Sequence, residues 1–170
     1  MLTLKTSMFS ASLLLQQKMS NRYYAVCGIL EIDGRILFVR HTYGQAKDRI
    51  LIPGGYVKEG ELAPHAVQRE IFEETVVSAE ADSVFAIQFK GDQWCVVFTM
   101  KYISGEPHSD GYENSEVLLL TPQEAVERPD ITNMSRAILK AYISDSDNKL
   151  NKGEYRSISL KAGEYEIFGV

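Results

Sequence analysis

The sequence predicts an α/β domain, and three observations carry that expectation. Two apolar runs of strand length flank Asp33-Gly34. A helix-length segment with Pro64 in its first turn follows them. Beyond it, two further strand-like runs meet at Gly91-Asp92. The chain of 170 residues, 45% hydrophobic and 24% charged, is long and apolar enough for one packed core. That composition excludes a disordered chain, a coiled coil and a collagen-like repeat.

The elements follow in order. Tyr24 to Ile32 alternates as a strand. Asp33-Gly34 then forms the hairpin turn, because both positions tolerate positive φ, and Ile36 to Val39 is the returning strand. His41 to Asp48 reads as a loop, and Ile50 to Ile52 is a short strand stopped by Pro53-Gly54-Gly55. Leu62 to about Val76 is the helix, with Pro64 where a missing N–H costs little. Ser83 to Phe89 and Trp94 to Ile103 are strands, Gly105 to Asn114 is a polar loop, and Ser115 to Leu120 is another strand. Thr121-Pro122-Gln123-Glu124 is a capping box that starts a short helix to Glu127. A final amphipathic helix spans Thr132 to Ile143. After a linker-like stretch, Glu154 to Val170 holds two strand-like runs around Ala162-Gly163, expected to pair as a hairpin. Such a hairpin is marginal alone, so it must dock on its own domain or on a second subunit.

Composition also bounds the partners. There are 18 Lys plus Arg against 23 Asp plus Glu, a net charge of −5. No general attraction to a nucleic-acid polymer or an anionic membrane follows from that balance. An anionic substrate must then be met by a metal or a local basic pocket. Cys27 and Cys95 sit in apolar runs, which excludes a disulfide framework and points to packing residues in a reduced, cytoplasmic setting. Residues 1–22 lack a long apolar run and read as a flexible or weakly helical extension rather than a secretory signal.

The chemistry lies in one stretch, GGYVKEGELAPHAVQREIFEETVV, from Gly54 to Val77. At 100° per residue, with Glu70 at zero, Glu74 falls at about 40° and Glu73 at about 300°, so three carboxylates share a helix face. Ala63 and Ala66 flank that face and are expected to leave room for a bulky ligand. Like charges at i,i+4 and acids late in a helix are both unfavourable. A hard divalent cation, Mg²⁺ or Mn²⁺, would relieve the conflict. The competing reading is a solvated face on which Arg69 pairs with a neighbour.

The spacing of Gly55, Glu61, Arg69, Glu70, Ile71, Glu73, Glu74 and Val77 resembles the signature box of the Nudix hydrolase family, with Pro53-Gly54 before it. Val76 stands where that pattern has a glycine. Because valine resists positive φ, the helix is expected to end differently or to run on toward Ser78. The likeness covers most of the chain and gives a domain at 23–153 between the extensions 1–22 and 154–170. It implies an α/β/α sandwich with a mixed β-sheet. It also implies hydrolysis of a diphosphate linked to a nucleoside, with an ADP-ribose-like substrate first and a nucleoside triphosphate second. The alternative is a non-catalytic nucleotide-binding module, although such modules commonly lose box acids and this chain keeps them.

Carried over by position, Glu70, Glu73 and Glu74 would be metal ligands, with Gly54 or Gly55 lending a carbonyl. Glu61 and Arg69 would be the ion pair that orients them. The general base would be a box glutamate or a glutamate on a distant loop. Asp110, Glu113 and Glu116 are available there, and Glu113 is preferred because it precedes a strand in a polar loop. Arg40 and Arg49, beside the 41–48 loop, are candidates for phosphate contact, as is Lys47. Tyr43 and Trp94 are candidates for stacking on a base or ribose. His41, His65 and His108 show no zinc spacing. Nudix hydrolases are often dimers, so a homodimer is expected, with the C-terminal tail taking part.

Overall fold

The computed structural model describes residues 23–144, 152–158 and 166–168. The extension over 1–22 and the hairpin turn expected at Lys161-Ala162-Gly163 lie outside the described residues. Strand β1 (Tyr24–Ile32) turns at Asp33-Gly34, both at positive φ, into β2 (Arg35–His41). A loop with one 3-10 turn at Gly44–Ala46 leads to β3 (Ile50–Leu51) and β4 (Gly54–Tyr56). Helix α1 (Ala63–Thr75) is followed by the long hairpin of β5 (Ser78–Lys90) and β6 (Gln93–Ser104), then by β7 (Asn114–Leu120). Helices α2 (Pro122–Glu127) and α3 (Asn133–Ile143) precede two short strands, β8 (Lys152–Gly153) and β9 (Glu166–Phe168).

The nine strands form one mixed sheet in the order β3-β2-β1-β6-β5-β9-β8, with β4 on β1 and β7 on β2. β1 and β6 are parallel from Tyr24↔Trp94 to Leu30↔Met100, while β4 runs antiparallel to β1 through Val26↔Gly55. Alternation along β1 creates the layers. Val26 and Leu30 point to one face, where Ala66, Val67 and Ile71 of α1 cover them. Cys27 and Ile29 point to the other, beneath Ala125 and Val126 of α2 and Ile138 and Leu139 of α3. Val67 and Ile71 are fully buried, and each contributes roughly 1.5–3 kcal/mol to holding α1 on the sheet.

Several expectations need correction. β5 begins at Ser78, five residues before the expected start. Its Ser-Ala-Glu-Ala-Asp opening has little strand character, and pairing with Ser104 to Met100 of β6 draws it into the sheet with register shifts. Gly54 to Tyr56, read as a strand stop, is itself a strand because β1 offers it a free edge. Ala66 is fully buried and Ala63 is partly buried against the same cluster, so these small residues pack toward the core. Of the strand-like runs expected in the tail, the second, Glu164–Phe168, contains β9, whereas 154–158 of the first is not strand and the partner of β9 is β8, at Lys152–Gly153. β8 pairs with β9, and β9 pairs with Ile87 to Phe89 of its own chain, so the tail docks on its own domain. Tyr155 packs against the core there. Among the described residues no helix is long and apolar enough to cross a membrane.

The end of α1 also departs from expectation. Val76 does take the left-handed conformation, at φ 59° and ψ 15°, and its N–H donates to the Phe72 carbonyl. The helix therefore stops where a glycine would stop it, with a β-branched residue in a conformation that costs about 1–2 kcal/mol. Val76→Gly should remove that strain, offset in part by the freedom glycine adds to the unfolded chain. A rise in melting temperature of about 2–4 °C is expected, with turnover within a few-fold of the parent. Thermal denaturation beside an activity assay checks both.

Candidate active site

Between β4 and α1 the chain makes a loop that the box arginine closes. Arg69 grips Glu61 with two bonds, Nε to Oε1 at 2.8 Å and Nη2 to Oε2 at 2.8 Å. The same guanidinium donates to Glu70 Oε1 at 2.7 Å, to Glu73 Oε2 at 2.9 Å and to the Tyr56 carbonyl at 3.0 Å. The Lys58 N–H adds a bond to Glu61. Arg69 in this fork holds the Glu61 carboxyl down at about 2, and the three carboxylates raise the guanidinium above its ordinary range.

The other two box acids lie deeper. A Cβ on Gly55 would sit 2.4 Å from the Glu70 carboxyl carbon, so the glycine is what lets that carboxylate lie against the β4 backbone. At Gly54 a Cβ would meet the Val26 carbonyl at 2.1 Å, because β4 crosses β1 closely there. Glu74 is 2% exposed and accepts from the Gly54 N–H at 3.0 Å. His41 Nε2 stands 3.4 Å from its other oxygen. Burial pushes the carboxyls of Glu70 and Glu74 above their ordinary range, against the pull of Arg69 on the first and of His41 on the second. The acid face is therefore the seam between α1 and β4, with Glu73 alone half exposed at its rim.

These groups suit a hard divalent cation: carboxylate oxygens, two of them desolvated, beside a glycine backbone that a side chain would block. Among the described residues no three acids, histidines or cysteines converge on one point as they stand. Arg69 Nη1 bridges Glu70 and Glu73 instead.

The loop before β7 comes to the same place. Asp110 accepts from the N–H groups of Tyr112, Glu113 and Asn114. Burial raises its carboxyl, but these bonds hold it below the ordinary range overall. Glu116 is paired with Arg40 at 2.8 Å. Glu113 is the loop acid that faces the cluster: Tyr43 Oη lies 3.5 Å from its Oε2, and its charge helps raise Glu74. Tyr43 stacks on His41 with ring centroids 5.5 Å apart, and burial together with Glu113 raises its phenol.

The remaining candidates make other contacts. Arg40 ties Glu116 to the Asp48 carbonyl and to Asp130, so its guanidinium braces the 41–49 loop against the α2–α3 connection. Arg49 closes that loop through its main chain, accepting from His41 N at 3.1 Å. Lys47 and His65 are exposed. Trp94 is half exposed and packs edge-on against Tyr24 and Phe89. Sequence reading missed His41 and Asn114. Asn114 is fully buried and donates to the Glu74 carbonyl at 2.8 Å. No local spacing announces either residue, since both reach the site through the β2–β7 ladder, where they are paired.

The mixed sheet, its flanking helices and the helix bearing the acid box define an α/β domain with a mixed sheet between two helical layers. The chain belongs to the NUDIX domain family, whose model matches residues 19–142. A curated ADP-ribose pyrophosphatase from Methanocaldococcus jannaschii is 34% identical over 88 residues, 48% of this chain and 52% of that one. The match thus spans about half the length of that relative. Among solved structures, a NUDIX hydrolase from Nitrosomonas europaea aligns at TM-score 0.65 and 22% identity, covering 75% of this chain and 73% of its own. The MutT protein from Methanosarcina mazei Go1 aligns at 0.65 and 18%, covering 76% and 99%. At such identities these structures share the fold.

The Glu61–Arg69 pair gives a prediction with a definite sign. A carboxyl lowered from 4.5 to about 2 on folding contributes stability that is present above pH 4.5 and lost as pH falls through 2. Glu61→Gln should therefore lower stability at neutral pH and flatten the loss between pH 4.5 and 2. Urea midpoints measured across that window check this, and an unchanged acid limb would contradict it.

Proposed function

We propose that the protein is a pyrophosphohydrolase acting on a nucleoside diphosphate derivative, with an ADP-ribose-like compound as first choice and a nucleoside triphosphate as second. The observation that carries this reading is the seam itself. Glu70 lies against Gly55 and Glu74 on the Gly54 N–H, while Arg69 and Glu61 fix the helix face from which they project. The likeness to the Methanocaldococcus jannaschii ADP-ribose pyrophosphatase supports the order of substrates.

Nudix hydrolases generally use divalent metal ions, and here Mg²⁺ or Mn²⁺ would be held by Glu70, Glu73 and Glu74 with a carbonyl of Gly54 or Gly55. A bound cation supplies positive charge to offset the diphosphate and makes a bound water more acidic. Holding the ion would require Glu70 and Glu73 to give up Arg69, and Glu61 would keep the guanidinium in place. The Glu113 carboxylate takes the proton of the attacking water, with a box glutamate as the alternative base. Tyr43, beside Glu113, is placed to meet the nucleoside. Arg49 and Trp94 stay as weaker substrate contacts, and Arg40 drops out because its donors brace the loop. A nucleotide-derived substrate and a pair of free cysteines support the cytoplasm as its compartment.

The test is a panel of nucleoside diphosphate compounds assayed with Mg²⁺ and Mn²⁺ for released phosphorylated products. Turnover is expected to vanish in EDTA and to fall by roughly 10²-fold or more in Glu73→Gln and in Glu74→Gln, with the fold retained. Full activity in EDTA, or in both variants, would refute the metal-dependent role of the box acids. No turnover of any compound in the panel would leave the non-catalytic binding module as the better reading.

A homodimer is proposed as well, now with the tail strand covering its own chain's edge. Sedimentation of the full chain should give a dimer, and a chain ending at Asn151 should remain dimeric but less stable. A monomer in both cases would refute the dimer.

A further inference from the structure

Asn114, the first residue of β7, carries more contacts into the site than its strand pairing requires. Its Nδ2 donates to the main-chain carbonyl of Glu74, in the last turn of α1, where carbonyls have no partner within the helix. Its own N–H is bound by Asp110, and its carbonyl accepts from Ser109 Oγ at 2.7 Å. One residue thus joins the end of the acid helix to the closed turn that presents Glu113. Thr42 holds the same turn from the far side, through its N–H on the Glu113 carbonyl and its hydroxyl on Tyr112 and Glu113.

The amide has one possible orientation. Glu74 O is an acceptor, so the NH₂ must face it and Oδ1 must point the other way. That Oδ1 is buried and is the one such side-chain atom without a hydrogen-bond partner among the described residues. Asn114 is also fully buried, so its position is not an accident of a surface loop.

We propose that Asn114 is a positioning residue: it locks the Glu113 turn to the Glu74 end of α1, so that the candidate base and the candidate metal ligands are held at one fixed separation. The inference rests on the hydrolytic reading of the same site. A tether of this kind acts on the geometry of reaction and leaves substrate affinity alone. Small misplacements of a reacting group cost rate steeply.

The experiment compares the full chain with Asn114→Ala, Asn114→Ser and Ser109→Ala. Two readouts are taken: kcat and KM on the best diphosphate of the panel, and amide hydrogen exchange over 70–76 and 109–114. In Asn114→Ala, kcat should fall about 10- to 100-fold with KM within about 3-fold. Exchange should rise in both segments together. Asn114→Ser, which keeps a short donor, should lie between parent and Ala. Ser109→Ala loosens the turn without removing the amide and should raise exchange at 74–76 as well, which keeps the test open should the Asn114 variants fail to fold. Exchange rising in only one segment, or kcat falling only as far as the folded fraction falls, would overturn the proposal. If the parent turns over no diphosphate, the hydrolytic reading fails by itself, and the exchange measurements still decide whether the tether exists.

Discussion

The Arg69 guanidinium ties together the loop after β4, the box helix and the strand beneath it. Its fork onto Glu61 is bidentate, a geometry that lysine could not supply. The fifth N–H contact, to the Tyr56 carbonyl, fixes the end of β4. Because that short strand carries Gly54 and Gly55, the arginine also sets where the backbone lies against Glu70 and Glu74. Three carboxylates around one cation would be mutually repulsive without it. With it, Glu61, Glu70 and Glu73 are preassembled around the guanidinium, while Glu74 is held separately by the Gly54 N–H.

That preassembly depends in turn on the alternation of β1. Its two faces feed two separate cores, one under α1 and one under α2 and α3, so the strand cannot slip by one residue without inverting both. β4 and β6 both take their register from it. The acid helix is therefore located by packing on one side, by backbone pairing below and by an ion pair at its rim. Its far end is finished by Val76 in a left-handed turn and by bonds from outside the helix, His108 N on the Thr75 carbonyl and Asn114 on that of Glu74.

Features set by neighbouring residues were legible in the sequence. Asp33-Gly34 turned as written, and the Thr121 capping box formed with both of its reciprocal bonds. Glu70, Glu73 and Glu74 could be placed on one face by helical spacing alone, whereas the parts of Gly54, Gly55, Glu61 and Arg69 were legible only through the resemblance to the Nudix box. What escaped was set by partners far along the chain. The first five residues of β5 are strand only because β6 pairs with them. Ala66 lies on the angular edge of the acid face, and only the sheet beneath decides that it is core. Val76 was expected to resist the left-handed turn, yet the surrounding contacts impose it. His41 and Asn114 come to Glu74 by a strand pairing that no local pattern encodes.

The parallel pairing of β1 with β6 has a consequence for how the chain acquires its shape. Cys27 and Cys95, neighbours at 3.9 Å, are separated by 68 positions in sequence. Parallel partners cannot meet through a tight turn, so the entropy of closing a long loop must be met before their contacts contribute. During synthesis β1 therefore emerges early with its central partner still unmade, and β4 and α1 can sit on it only loosely until β6 arrives. The acid seam is consequently a late product of folding, completed in the same cooperative step that closes the sheet.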